Sequence, residues 1–317
     1  MNRIAVGNLV GQCSTLAILL EVSSYPKPGN VHRTVDFPWT RYEHFLAGAV
    51  GIEPFMRQLA IRGYNAARSS ESWSKIRIGE VIFKAVESSR NWQSGGNVNL
   101  GTILLISPLA AASGAILSNR LSFKAEELRQ ILEKVIQSTS QKDAVSVCKA
   151  ISTTMSERVL GRVNELDLTN SSTIKEVYQK GLTLMDIFSK CMSRDLICRE
   201  WVTRFEIVFT KGYPTLKSFI EKSRSINSAI INTFLTIQSE YPDSLVIRKA
   251  GVAEAQKMSE RAKEILDKGG AYTEEGSRLL WNWDQELRKF KGRLNPGTTA
   301  DLVAASAFLL LVNGWRP

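Results

Sequence analysis

The sequence predicts an all-α protein: a single globular multi-helix domain over residues 1–317, organised around buried central helices. Period-two alternation of apolar and polar residues, which marks half-buried strands, is scarce, while apolar residues recur at helical spacing. Two stretches, Ile103–Ala112 and Leu302–Val312, are apolar nearly all round and so belong inside the protein. No linker-like composition interrupts the chain, and 44% apolar with 23% charged residues is the balance of a globular protein with a sizeable core.

Residues 4–22 carry the first helical pattern, which stops near Ser23-Ser24. In Tyr25-Pro-Lys-Pro-Gly-Asn30 two prolines hold the chain extended and Gly29 permits a sharp turn or a close backbone approach. Val31–Pro38 reads as loop, and a second helix begins around Trp39–Thr40 and continues through Met56. The polar region Ser69–Ser74 separates it from an amphipathic helix at Ile78–Glu87. Gln93–Thr102 is a glycine-rich loop opening onto Ile103–Ala112, a helix that Pro108 should kink or split.

Ser122–Met155 is charged and helical, Glu157–Asn170 irregular, and helices resume at Ile174–Phe188 and Ser193–Phe205. Tyr213-Pro214 and Tyr241-Pro-Asp243 are breaks before helices at Thr215–Gln238 and Leu245–Lys249, with Ala253–Leu266 and Glu274–Lys289 following. Arg293-Leu-Asn-Pro-Gly-Thr-Thr-Ala-Asp301 is a turn feeding the last buried helix. Thr298 and Thr299 are placed to cap that helix and Asp301 falls in its first turn. The pattern gives about a dozen helices.

Lys and Arg number 41 against 31 Asp and Glu, a net charge of +10 with His neutral, which points to an anionic partner. The basic residues are scattered among acids and no helix-turn-helix or similar signature is present, so small phosphorylated ligands fit better than nucleic acid. Cys13, Cys148, Cys191 and Cys198 form no CxxC pair, and His32 and His44 are the only histidines. That excludes the usual structural zinc spacings and reads as buried free thiols in a reducing compartment. The apolar run Leu16–Leu20 is too short to span a membrane and meets Glu21, so the expectation is a cytoplasmic protein with no membrane partner.

Three clusters carry the residue types that phosphate chemistry needs. In the first, Lys27 and Arg33 supply cations, Gly29 lets the backbone approach, and Glu21 and Asp36 could hold magnesium or take a proton; a solvated surface turn is the plain alternative. The second, Gly95-Gly96-Asn97-Val98-Asn99-Leu100-Gly101, offers a glycine loop with two neutral amides, yet lacks the Gly-Lys-Ser/Thr of a P-loop and the preceding strand of a dinucleotide fingerprint. The third is the Arg293–Asp301 turn, where a helix start with free N–H groups makes a ready anion site. Arg194-Asp195 with Arg199-Glu200-Trp201 reads as a structural ion-pair helix. Arg248-Lys249-Ala250-Gly251 reads the same way, although a basic pair ahead of glycine would also suit a phosphate tail. His44 reads as a packed histidine, and Trp281 and Trp283 as core or interface residues.

Taken together and in this order, Glu21…Pro26-Lys-Pro-Gly29, Gly95-Gly-Asn-Val-Asn-Leu-Gly-Thr-Ile-Leu-Leu105 and Arg293–Asp301 resemble the triphosphoribosyl-dephospho-CoA synthase family nearly end to end. Thr40-Arg-Tyr-Glu-His-Phe45, Gly181–Leu184, Ile226-Asn227 and Pro242–Gly251 look most like its archaeal-type branch. Two departures stand out: Val98 occupies a position where the family commonly has threonine, and the His-x-Asp-Met segment of the citrate-lyase branch is missing. The resemblance implies an ATP-dependent transferase. The ribose 2′-hydroxyl of a 3′-dephospho-CoA-like acceptor attacks C1′ of ATP, adenine leaves, and the triphosphate stays on the transferred ribose.

On that reading Lys27, Arg33 and Arg293 bind phosphates beside the Gly95, Gly96, Gly29 and Gly297 backbones, and Asn97, Asn99 and Asn295 orient ribose or base. Glu21, Asp36, Glu43 and Asp301 divide proton transfer and magnesium binding, Glu21 and Asp36 being the metal candidates. A shared substrate requires the three clusters to meet at one cleft. Two other readings remain: a related nucleotide-dependent enzyme acting on another cofactor-biosynthesis acceptor, and a basic helical nucleic-acid-binding protein. The sequence assigns no oligomeric state.

Overall fold

Asn2 starts the first helix, its side chain accepting a 2.9 Å hydrogen bond from the Ala5 N–H, and α1 runs Arg3–Ser23. The structure, a computed structural model, describes residues 1–69, 73–154, 171–223 and 225–317. After α1 come α2 (Tyr42–Arg68), α3 (Ile78–Asn91), α4 (Leu100–Leu117), α5 (Ala125–Gln137) and α6 (Gln141–Thr154). Then follow α7 (Ser171–Gln179), α8 (Leu184–Cys191), α9 (Leu196–Thr203), α10 (Tyr213–Ser223) and α11 (Ile226–Glu240). The chain closes with α12 (Ser244–Ala250), α13 (Val252–Asp267), α14 (Glu274–Arg288) and α15 (Gly297–Val312). Among the described residues the only β feature is an isolated bridge between His32 and Val35, so the expected all-α class holds.

The two all-apolar stretches are the centre, as expected. Helices α1, α2 and α15 all pack on α4, every residue of which except Gly101 is buried. The α2–α4 crossing depends on small residues. A Cβ on Gly63 of α2 would lie 1.9 Å from the Ala111 carbonyl oxygen, and one on Gly114 of α4 would lie 1.9 Å from that of Ala60, so backbone meets backbone twice. A second, smaller apolar cluster joins α11 to α14 through Ile231, Val246, Met258 and Trp283, while the opposite face of α11 enters the main core through Ile230 and Phe234.

Pro108 does not split α4. Proline removes the N–H that would bond the carbonyl four residues earlier, and that carbonyl, of Leu104, instead accepts a 3.1 Å hydrogen bond from the indole of buried Trp201 in α9. Pro54 is likewise inside α2, which extends to Arg68, well past the expected Met56. Its orphaned partner would be Val50, on a half-exposed turn where water can satisfy it.

Two expected helices are broken: Ile174–Phe188 divides at Gly181 into α7 and α8, and Thr215–Gln238 divides where Ser225 caps α11 through the Ser228 N–H. The expected irregular stretch Glu157–Asn170, Met155 and residues 70–72 of the polar region lie outside the described residues. Both α1 and α4 have the length and apolarity of a membrane span, but 94% of the α4 window is buried among other helices of this protein.

Candidate active site

A cavity of about 740 Å³ lies where α4, α9 and α15 begin. All three sequence clusters reach it. The first contributes Glu21 and Asn30, the second its entire run from Gly95 to Gly101, and the third Asn295, Gly297, Thr298, Ala300 and Asp301. Three helix starts face this space, but Asn97, Asp195 and Asp243 already accept from their N–H groups, so the preference of this wall for an anionic ligand rests on its cations. The remaining wall is largely apolar and aromatic, with Phe37, Trp39, Phe45 and Phe188 among it.

The acids at this wall have different environments. Asp301 is the fifth residue of α15, not a first-turn residue, because the helix starts at Gly297. Its carboxylate accepts a hydrogen bond from the Thr102 hydroxyl, and the Thr102 backbone N–H adds a second interaction. Burial pushes its pKa up to about 8, the Thr102 hydroxyl pulls it down, and the charges of Glu21 and Asp243 push it up further. Glycine is required opposite it: a Cβ on Gly101 would fall 2.0 Å from Asp301 Oδ2.

Glu21, in the last turn of α1, has a cation instead. Lys27 contacts Glu21 Oε1 and also donates to the Glu21 carbonyl oxygen at 3.0 Å. Burial raises the Glu21 pKa and lowers that of Lys27, and each charge opposes the shift on the other. Lys27 is fully buried and lies behind the cavity wall, so it serves as the internal counter-charge of Glu21 and Asp301 and offers no free ammonium to a phosphate.

The Pro26–Gly29 segment is held by Asp284 of α14. Asp284 accepts from the Gly29 N–H at 3.0 Å and from Arg288 at 2.9 Å, and its other oxygen lies 3.3 Å from His32 Nε2. Arg288 also donates to the Asn30 carbonyl. Gly29 sits at φ +73°, and a Cβ there would be 2.7 Å from the Leu294 carbonyl oxygen, so the first cluster is pressed directly onto the third. Asn227 completes the brace, exchanging hydrogen bonds of 2.9 and 2.8 Å with the Tyr25 backbone.

The glycine loop is fixed by its neighbours as well. Thr40 Oγ1 donates to the Gly95 carbonyl at 2.9 Å, and a Cβ on Gly95 would collide with His44, which packs there as expected. Asn97 caps α4 by accepting from the Leu100 N–H at 3.2 Å. Asn99 is buried with its Nδ2 unpartnered, and Asn295 has a buried, unpartnered Oδ1.

Several expected site residues lie elsewhere. Asp36 is exposed outside the cavity and accepts from the Tyr42 N–H at 2.8 Å, fixing the start of α2. Glu43 is exposed and does not face the cavity. Arg33 points to solvent with its guanidinium 4.1 Å above the Tyr25 ring, and Arg293 donates to the Lys249 carbonyl at 3.2 Å without reaching the cavity wall. Glu21 and Asp36 are therefore not paired at one place, and among the described residues no group of three or more His, Cys, Asp or Glu side chains is arranged to hold a metal ion.

The cavity's cations are Lys190, Arg194, Arg248 and Lys249. Arg248 forms an ion pair with Asp195, whose other oxygen caps α9 at Ile197 and Cys198, so the expected local ion-pair helix is in fact a bridge between α9 and α12. The basic pair ahead of Gly251 was a usable signal for this wall; nothing in the sequence brings Lys190 to it. The cysteine expectation also needs correction: Cys13 and Cys148 are buried free thiols, but Cys191 and Cys198 form a disulfide at the cavity edge. Helices α8 and α9 bring the two to a Cα separation of 5.9 Å, within disulfide range.

Comparison with known proteins settles the family. The model for ATP:dephospho-CoA triphosphoribosyl transferase matches residues 8–317. The chain belongs to that transferase family. A Klebsiella pneumoniae protein named 2-(5''-triphosphoribosyl)-3'-dephosphocoenzyme-A synthase is 24% identical over 296 residues, covering 92% of this chain and 87% of its own. A Vibrio cholerae serotype O1 (strain M66-2) protein, "Probable 2-(5''-triphosphoribosyl)-3'-dephosphocoenzyme-A synthase", is 23% identical over 306 residues, or 94% and 86% of the two chains. The crystal structure of an Archaeoglobus fulgidus protein assigned to triphosphoribosyl-dephospho-CoA synthase superposes with a TM-score of 0.62 at 28% identity, over 86% of this chain and all of that one.

Proposed function

We propose that this chain moves the 5-triphosphoribosyl group of ATP onto the ribose 2′-hydroxyl of 3′-dephospho-CoA, releasing adenine. Family membership supplies the reaction class. The observation that carries the site is the meeting of Asp301, Glu21 and the glycine loop at one cavity whose wall also bears four cations. In the reaction the C1′–N9 bond of ATP breaks and a bond from the acceptor oxygen to C1′ forms. Adenine departs with the bonding electrons and needs a proton, the attacking hydroxyl must lose one, and positive charge develops on the sugar.

The two acids divide this work by environment: burial raises the pKa of both, but only Glu21 has a cation in contact. Asp301, protonated near neutrality, donates to the departing adenine. Glu21, paired with Lys27, faces the developing sugar charge and the hydroxyl proton. Arg248, Lys249, Lys190 and Arg194 take the triphosphate with the α15 start beside them, and Asn99 and Asn295 orient ribose or base. Magnesium accompanies the triphosphate in this reading, held by substrate oxygens and water more than by protein. ATP and a coenzyme A precursor as substrates support a cytoplasmic location in this reading.

The test is adenine release from ATP measured with a panel of acceptors that includes 3′-dephospho-CoA. Acceptor-dependent adenine release with 3′-dephospho-CoA supports the reading. Release that depends only on another acceptor would keep the chemistry and replace the substrate, and no release with any acceptor would sink the proposal.

A further inference from the structure

Asp243, immediately before α12, is fully buried, and both of its oxygens cap helices. Oδ1 accepts from the Leu245 and Val246 N–H groups at 2.8 and 3.1 Å, closing the start of its own helix. Oδ2 accepts from the Thr299 N–H at 2.7 Å and lies 2.8 Å from the Thr299 hydroxyl, closing the start of α15. No side chain of the α15 N-cap residue, Pro296, does this work, and the expected cap from Thr298 or Thr299 is replaced by this carboxylate from elsewhere in the chain. The neighbouring Ser244 hydroxyl donates to Thr298 Oγ1 at 3.1 Å and accepts from the Leu196 N–H of α9 at 3.3 Å, so three helix starts are joined at this point.

These helices carry opposite chemical roles. α12 bears Arg248 and Lys249 at the cavity; α15 bears Asp301. A cap ordinarily stabilises one helix, but a cap shared between two helices also fixes their relative position. The far end of α12 is tied to the same turn by the contact of Lys249 with the Gly292 carbonyl at 3.4 Å. We propose that Asp243 is a positioning residue for the transfer: by capping α12 and α15 with one carboxylate, it sets the distance between the phosphate-binding cations and the acid at the reacting carbon. The proposal rests on the function read above.

Asp243 does not itself line the cavity, so its effect passes through Asp301, Arg248 and Lys249. It also acts through charge. Asp301 is faced by Glu21 from α1, by Lys27 from the following loop, by Thr102 from α4 and by Asp243, and removing the Asp243 charge lowers the Asp301 pKa. Burial raises the pKa of Asp243 itself, while the donors from Thr299, Val246 and Leu245 favour its carboxylate.

The experiment compares wild type with Asp243→Asn and Thr299→Val, the second of which removes the Thr299 hydroxyl, with its contacts to Asp243 and to Gln238, and keeps the backbone cap. Adenine release, affinity for inorganic tripolyphosphate and thermal melting are measured for each. For Asp243→Asn the expected result is turnover reduced about tenfold or more per folded molecule, as small misplacements of reacting groups produce. Tripolyphosphate should bind more weakly and the high-pH fall in turnover should move to lower pH. Thr299→Val should show the same changes, smaller. A purely structural cap would lower melting alone, so unchanged turnover, pH profile and tripolyphosphate affinity in folded Asp243→Asn overturn the proposal. If Asp243→Asn does not fold, the same unchanged values in Thr299→Val overturn it. If wild type releases no adenine with any acceptor, the functional reading fails separately, and tripolyphosphate affinity still decides whether Asp243 sets the cation wall.

Discussion

The Thr102 hydroxyl donates to the Asp301 carboxylate, joining the third residue of α4 to the fifth of α15. An acid is thereby held where the two central helices meet, partly buried at the cavity wall, and the side chain that contacts it directly is a neutral donor. Burial accordingly raises its pKa to about 8, which suits the proposed role of proton donor to the departing adenine.

Asp301→Asn removes that proton and nearly preserves shape, so adenine release should fall about a hundredfold or more. In the wild type, turnover should fall as pH rises through about 8, because the donor form is lost there. The stability effect has the same sign. A carboxyl whose folded pKa is raised contributes stability that is complete below its ordinary value of 3.8 and is lost as pH rises to about 8. The Asn variant should therefore melt at a temperature less dependent on pH over that window, and at pH 8 no lower than wild type. Turnover above a third of wild type in a folded Asp301→Asn, less than the ~1.4 kcal/mol of a tenfold change, would leave Asp301 a structural residue.

Gly101→Ala tests the same acid without touching it. The added methyl would fall 2.0 Å from Asp301 Oδ2 and must displace the carboxylate from Thr102. Alanine is otherwise the better helix former, by about 1 kcal/mol, so stability should change little while turnover drops steeply. Kinetics and circular dichroism on the same preparation decide it. Normal turnover would mean that the carboxylate works equally well elsewhere.

Lys27→Met should be among the most damaging single changes, though Lys27 never meets the ligand in this reading. Removing one partner of a buried ion pair strands the other and costs about 3–5 kcal/mol. The double variant Glu21→Gln/Lys27→Met should recover much of that stability and remain inactive, because the cavity-facing carboxylate is gone. Urea melts of the two singles and the double check this; a stable Lys27→Met would show that the ammonium is not needed to compensate Glu21.

The fold class and the three segments that meet at the cavity were legible because they depend on local signals: helical periodicity, all-apolar runs, and glycine or proline at turns. What was not legible depends on partners distant in sequence. Pro108 reads as a kink until Trp201, 97 residues from Leu104, supplies the missing donor to the Leu104 carbonyl. Thr299 reads as its own helix cap until Asp243 takes that place. Lys27 reads as a phosphate cation in the same way that any exposed lysine beside glycine would, and only burial against Glu21 makes it an internal counter-charge. Cys191 and Cys198 are seven residues apart, a spacing that matches no common motif, and pair because α8 and α9 fold back on one another.

The last prediction separates the cations expected from sequence from those that the fold places at the cavity. Arg33 is exposed over Tyr25, while Arg248 lines the wall with a buried Nε that has no partner within the protein. Hydrogen bonds to charged groups contribute about 1.5–3 kcal/mol, so Arg248→Ala should raise the KM for ATP about tenfold or more. Arg33→Ala removes an exposed cation–π contact of about 0.5–1 kcal/mol, which affects stability slightly and the KM for ATP hardly at all. Because Arg248 also pairs with Asp195, a rise in KM could come from a disturbed α9. Asp195→Asn controls for this: it weakens the ion pair, keeps an oxygen to cap Ile197 and Cys198, and leaves the Arg248 guanidinium in place. If phosphate binding is the cause, Asp195→Asn raises KM much less than Arg248→Ala. Equal effects from those two would assign the role to the bridge, and an effect of Arg33→Ala as large as that of Arg248→Ala would place the phosphates outside the cavity.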